Sequence, residues 1–296
     1  MNRLWLTLLL LLVTAIWGWT FFVVKTAVDA YGVVGFLAVR FAIGSCTLCA
    51  VAPRRVPLKT WGLGAGIGVI LAAAYLLQTF GLRTTSVTNC GLITGLFAIF
   101  ALLVNRIAFG IHLRPVIWLA AGVSLAGLFL LTGAGPSPPT IGDGLTLGAA
   151  LCFGLQIVLL DRYAKGHDTV ALTLVQLAVA TLIFAAIWPL VQAMTWPRRE
   201  VWIALAITGV LATALAFYAQ VLAQQHLPAV RAALLLSLEP VFAASFGYLL
   251  AGDQLTAVQL LGATLMVAAV MLAEAGRLWR SGRELSAAAT TEADPS

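Results

Sequence analysis

Residues 4–24, LWLTLLLLLVTAIWGWTFFVV, run for 21 positions without a charge. An α-helix needs about 20 apolar residues to cross the hydrocarbon core of a bilayer, so this one stretch is long enough to span. A basic start at Met1-Asn2-Arg3 and the small-residue site Val13-Thr14-Ala15 resemble a secretory leader. The apolar run continues well past that site, which predicts a retained first membrane helix rather than a cleaved one. Nine further apolar blocks follow, at 33–52, 61–82, 87–109, 115–133, 143–161, 169–192, 201–224, 229–250 and 255–276. Residues 277–296, with Arg277, Arg280 and Arg283 and then a Ser/Thr/Ala/Glu stretch, read as an unstructured tail.

Composition excludes most alternatives. The chain is 61% hydrophobic and 9% charged, against about 25% charged in an ordinary soluble domain. The net charge of +6 does not point to nucleic acid, because the cations sit in short segments between apolar blocks instead of forming a basic stripe. Twelve Lys and Arg fall on one side of the ten-helix layout and five, Lys25, Arg40, Arg83, Arg198 and Arg199, on the other. Positive charge concentrates in cytoplasmic loops, which predicts a multi-pass protein of the bacterial inner membrane with both termini cytoplasmic. Cys46, Cys49, Cys90 and Cys152 all lie in apolar blocks and read as small buried hydrophobes. Metalloprotease, serine-hydrolase, intramembrane aspartyl-protease and nucleotide-binding motifs are missing, and His112, His167 and His226 all fall in loops. The expectation is a carrier rather than an enzyme, with no cofactor and no metal, its partners small metabolites and the lipid bilayer.

The two halves are alike. Shifted by 142, residues 74–133 align without a gap on 216–275 and share 13 of 60 residues, among them Gln78/Gln220 and Gly110/Gly252. A shift of 136 pairs Trp17-Gly18 with Phe153-Gly154. Repeats of five helices must enter the membrane in opposite orientations, an architecture in which substrate binds near the midplane where the halves meet. The expected fold is therefore all-α, ten transmembrane helices forming two inverted five-helix repeats, 1–138 and 139–276, around a central cavity. Gly62, Gly64, Gly66 and Gly68 in the third helix predict close approach or bending. Small residues on the fifth helix (Gly122, Ala126, Leu130) and tenth helix (Thr264, Ala268, Leu272) mark either a scaffold contact or a dimer face, so the chain is expected to be a monomer or a dimer through these helices.

Four helices carry an aromatic residue and, three positions later, an uncharged polar one: Trp17/Thr20, Tyr75/Gln78, Phe153/Gln156 and Phe217/Gln220. That spacing puts both on one helical face. The four faces are related in pairs by the same two shifts. They predict one cavity lined by helices 1, 3, 6 and 8, joined by helices 4 and 9 through Phe97 and Ser237/Glu239; the bland alternative is that the amides bond across helix seams and the rings merely pack. Glu239 is the clearest charge inside an apolar run. It is positioned to bind a substrate ammonium, to carry a proton, or to pair with Arg231. Lys25, Arg40 and Asp161, near span ends, are expected to snorkel or pair.

The segments QHLPAVRAALLLSLEPVF (225–242), LAGDQL (250–255) and QLLGA (259–263), with AIWGWTF at 15–21, resemble the EamA repeat of the drug/metabolite transporter superfamily. Within it the chain is most similar to YddG-type exporters of aromatic amino acids. The resemblance implies export of aromatic and other neutral amino acids by alternating access, with drug or metabolite efflux on the same scaffold as the alternative. Two positions depart from the pattern. Asp253 stands where the family often has Glu, and Phe97-Ala98 stands where the second half has Glu239-Pro240.

Overall fold

A computed structural model describes residues 3–85, 87–133, 140–251 and 254–292. Among them every regular element is helical. The helices are α1 (Arg3–Tyr31), α2 (Val33–Cys49), α3 (Leu58–Gly81), α4 in two parts (Val87–Gly95 and Phe97–Ala108), α5 (Pro115–Thr132), α6 (Ile141–Tyr163) and α7 (Thr169–Val191). They are followed by α8 (Arg199–Gln224), α9 in two parts (Ala229–Leu236 and Glu239–Phe246) and α10 (Ala257–Glu292). Among the described residues nine are long and apolar enough to cross a membrane, and α2, at 17 residues, is a shorter apolar tenth. The chain is a multi-pass membrane protein.

Element ends differ from the sequence expectation where nothing stops a helix. No Gly or Pro lies between Trp19 and Tyr31, so α1 runs on to Tyr31 and ends at Gly32, whose φ of 87° only glycine adopts readily. The expected unstructured tail is instead helical backbone as far as Glu292, since Ala, Leu, Arg and Glu are strong helix formers. The Gly252 and Asp253 positions singled out above lie outside the described residues.

Close packing runs through glycine. In α3, a Cβ on Gly64 or Gly68 would stand 2.7 Å from α7 atoms, whereas Gly62 and Gly66 face open space. The first pair makes the seam and the second faces outward. α5 and α10 pack along each other at Gly127, where an added Cβ would stand 2.6 Å from the Gly262 carbonyl oxygen and 2.9 Å from the Met266 nitrogen. The two helices do form a scaffold contact, but through a stripe next to the expected one. Gly122, Ala126, Thr264 and Ala268 point outward, and the seam lies on the neighbouring stripe of Gly127, Gly262 and Met266. Many hydroxyls inside the spans are satisfied on their own helices, as when Thr14 donates to Leu10 O at 2.7 Å and Thr208 to Ala204 O at 2.7 Å.

Two contacts decide where the middle of the protein sits. α4 and α9 both break, at Leu96 and Leu238, residues that align in the 142 shift. Each break is one tight turn: Leu96 N donates to Ile93 O at 3.1 Å and Leu238 N to Leu235 O at 3.2 Å. Pro240, which has no N–H, suits the second break; the first forms with Ala98 in its place, just after Gly95. α1 crosses the break of α9 at Gly18, where a Cβ would stand 2.9 Å from Glu239 O and 2.8 Å from Ala243 N. α6 crosses the break of α4 at Gly154, with a Cβ 2.8 Å from Phe97 O and 2.9 Å from Ala101 N.

Gly127→Leu is expected to force α5 and α10 apart and to lower stability by about 1–3 kcal/mol, read as a fall in melting temperature in detergent. Gly122→Leu, facing outward, should leave the melting temperature unchanged. Equal effects of the two substitutions would refute the assignment of the seam.

Candidate functional site

Where α1 and α6 cross the broken helices, the four aromatic faces meet. Trp17 stands 5.4 Å from Phe217, Phe217 is 6.4 Å from Tyr75, and Tyr75 is 5.5 Å from Phe153, measured between ring centroids. The first and last of these distances match because the contacts are equivalent: Trp17 aligns with Phe153, and Phe217 with Tyr75. Edge and tilted contacts of this kind are the favoured ring geometries. Trp17 Nε1 donates to Ala212 O at 2.8 Å, within the wider π-type turn of α8 at Thr208–Leu215. Such bulges recur at functional positions. Trp17, Tyr75, Phe153 and Glu239 keep partial exposure, whereas Phe217 is buried.

The polar partners divide. Gln220 Nε2 donates to Gln156 Oε1 at 3.2 Å, with both residues 2% exposed. That bond leaves Gln156 Nε2 and Gln220 Oε1 buried and without a partner, a donor and an acceptor side by side. Gln78 Nε2 donates to Thr94 on α4 at 3.1 Å. Thr20 turns back on its own helix and donates to Trp17 O at 3.0 Å. Phe97 is buried in the core at the α4 break. Ser237 is not part of the ring chain; its hydroxyl donates to Leu234 O at 2.8 Å and lies 3.3 Å from that of Ser124, tying α9 to α5.

Two charges are placed differently from expectation. Arg231 does not pair with Glu239. Its Nε lies 2.5 Å from Glu274 on α10 and its Nη2 donates to Thr7 on α1 at 2.7 Å. Arg40, counted above with the outer cations, is 5% exposed in the middle of α2. Its Nε donates to Thr213 at 2.8 Å, and its guanidinium lies 5.6 Å from the Tyr75 ring centroid and 5.9 Å from that of Phe41. Glu239 lies within electrostatic reach of Arg40 and of Tyr75. Phe41, fully buried and 5.0 Å from Tyr75, also escaped the sequence reading. The available signal was that Arg40 is the one charge inside the 33–52 block. Among the four cysteines only Cys90 is buried; Cys46 and Cys49 are exposed. Among the described residues no three His, Cys, Asp or Glu side chains cluster as metal ligands.

An all-helical bundle whose broken helices meet aromatic and amide side chains at mid-span is the architecture of a membrane carrier. The chain belongs to the EamA-like transporter family, whose profile matches it twice, over residues 4–133 and 140–274. It is 34% identical over 278 residues to an uncharacterized transporter of Archaeoglobus fulgidus, covering 92% of this chain and 86% of that one. It is 28% identical over 260 residues to the threonine/homoserine exporter RhtA of Escherichia coli, covering 83% of each. A solved crystal structure shares the fold at a TM-score of 0.80 and 20% identity, covering 92% of this chain and 97% of that one.

The amide pair carries its own test. Gln220→Met leaves both ends of the Gln156 amide unpaired in a water-poor interior, at a cost of about 1–3 kcal/mol. Replacing both by Met removes the stranded groups and should recover most of that loss. Thermal unfolding of the two single variants and the double variant measures the coupling, and additive losses would show that the two amides do not interact.

Proposed function

We propose that this transporter exports neutral amino acids, through two inverted five-helix halves (1–138 and 139–276) that alternate access to the site at their junction. The observation that carries the reading is the ring chain Trp17–Phe217–Tyr75–Phe153, one aromatic from each of the four helices where the halves would meet. Two-fold relatedness is supported by the paired contacts of Gly18 and Gly154. It is supported too by Ser45 and Thr181, which are related by the 136 shift and bond to each other at 3.2 Å.

The pathway is taken to be lined by Trp17, Thr20, Tyr75, Gln78, Phe97, Phe153, Gln156, Phe217, Gln220 and Glu239, with Ser237 holding α9 in place. Amides and charge meet the zwitterion, and the rings meet the side chain. The RhtA relatives are threonine/homoserine exporters, which supports amino-acid export as the class. The aromatic walls extend the substrate range to aromatic side chains, in keeping with the YddG-type resemblance. Apolar walls discriminate weakly between apolar side chains, so specificity is broad. Moving Arg40 from the outer side to mid-span leaves four outer cations against twelve, which strengthens the charge asymmetry for cytoplasmic termini in a bacterial inner membrane.

Counterflow in proteoliposomes tests the class. Vesicles loaded with unlabelled threonine, homoserine or phenylalanine should accumulate the labelled amino acid, while empty-membrane controls should not. No exchange of any amino acid above the control would sink the proposal. Exchange of amphipathic drugs alone would redirect it to drug efflux.

A further inference from the structure

We propose that Arg40 is the carboxylate anchor of this site and that, with Glu239, it selects ligands carrying both an α-carboxylate and an α-ammonium group. This rests on the amino-acid reading above and deepens it.

Arg40 is a charge held in the middle of a membrane helix, and such charges are costly and rarely idle. A guanidinium carries five N–H donors in a planar fork. Here Nε donates to the Thr213 hydroxyl at 2.8 Å and the Tyr75 hydroxyl takes a second bond. Among the described residues no carboxylate closes into an ion pair with it. Its guanidinium carbon lies over the rings of Phe41 and Tyr75, which support a cation. Two hydroxyls do not exhaust a five-donor fork, and such a fork matches a carboxylate in two parallel hydrogen bonds.

The opposite charge is close but not joined. Glu239 opens the second half of α9, where the helix N-terminus favours an anion. It is partly exposed. The two charges are linked through the rings: Arg40 lies over Tyr75, Tyr75 touches Phe217, Phe217 touches Trp17, and Gly18 beside Trp17 packs on the Glu239 carbonyl. A plus and a minus within electrostatic reach of each other, with aromatic rings between them, complement a zwitterion. Its carboxylate takes the Arg40 fork, its ammonium takes Glu239, and its side chain lies along Trp17, Phe217, Tyr75 and Phe153. Binding then adds no net charge to the interior. A ligand with only one of its two charges leaves Arg40 or Glu239 facing a like charge or none.

The symmetry-related positions lack this device. Under the 136 shift Arg40 aligns with Gln176, and under the 142 shift Glu239 aligns with Phe97. The site therefore reads its ligand in one orientation although the halves are alike.

The test is competition of counterflow by L-phenylalanine, its methyl ester and its N-acetyl derivative, with the same three forms of L-threonine. In the unaltered protein both derivatives should compete roughly tenfold or more weakly than the free amino acid, the effect of losing one charge-assisted pair. In Arg40→Gln the preference over the methyl ester should fall to about one, while the preference over the N-acetyl form persists; Glu239→Gln should do the reverse. Competition by the methyl ester equal to that of the free amino acid in the unaltered protein overturns the assignment, and that arm does not depend on any variant folding. A folded Arg40→Gln protein that keeps its preference over the ester overturns it as well. Failure of the amino-acid reading looks different: none of the six compounds competes and no amino acid exchanges.

Discussion

The rest of the structure depends on the approach of Gly18 to the backbone of α9 and of Gly154 to the backbone of α4. At both places a single methyl group would collide with a carbonyl oxygen and an amide nitrogen. Lipid chains are as apolar as the helix surfaces, so helix association in a bilayer relies on close packing rather than on expulsion of water, and small residues permit it. Because Gly18 follows Trp17 and Gly154 follows Phe153, the same approach that seats the helix also delivers an aromatic ring to the centre. Because each glycine lands on a helix break, the rings arrive where the backbone ladder is interrupted.

The interior is then furnished with polar groups that water would otherwise satisfy. Most are answered locally, by Thr hydroxyls bonding one turn back, or across seams, as when Asp161 accepts from Ala229 N at 2.9 Å at the start of α9. Among the described residues the exceptions include two amides on the ring-bearing helices α6 and α8, besides Gln224 Oε1 and Trp188 Nε1. Gln156 and Gln220 bond to each other and leave one donor and one acceptor stranded, and Arg40 has hydroxyls and ring faces where a carboxylate would be expected. Unsatisfied polar groups are costly in a low-dielectric interior. Two of them, Gln156 and Gln220, share helix faces with Phe153 and Phe217 of the ring chain.

The four aromatic–polar faces were legible in the sequence because helical periodicity decides which residues share a face, and the internal shifts decide which faces correspond. Their convergence in space follows from those two facts and five-helix arithmetic. Ser237 misled because its position next to Glu239 carries no information about rotation after a break: the tight turn at Leu238 swings Ser237 toward Ser124. Arg231 misled in the same way, since a separation of two turns along α9 says nothing about Glu274 arriving from α10. Arg40 was legible as a charge in an apolar block but not as a buried one. The start of α2 at Val33 matches the sequence reading; what buries Arg40 is the arrival of Thr213 from α8 and of the Tyr75 ring from α3, which the sequence does not encode locally.

By itself the sequence determined that this chain lives in a membrane, that it crosses by helices, that its halves are alike, and which residues face together. Those properties follow from hydropathy and local periodicity, which need no knowledge of neighbours. Only the tertiary structure decided that α5 and α10 meet at Gly127 and Gly262 rather than one stripe over. It alone decided that Arg231 belongs to Glu274, and that Arg40 is buried against Thr213. The second pairing joins residues 173 positions apart, and both are fixed by which helix backbones can approach closely enough to touch.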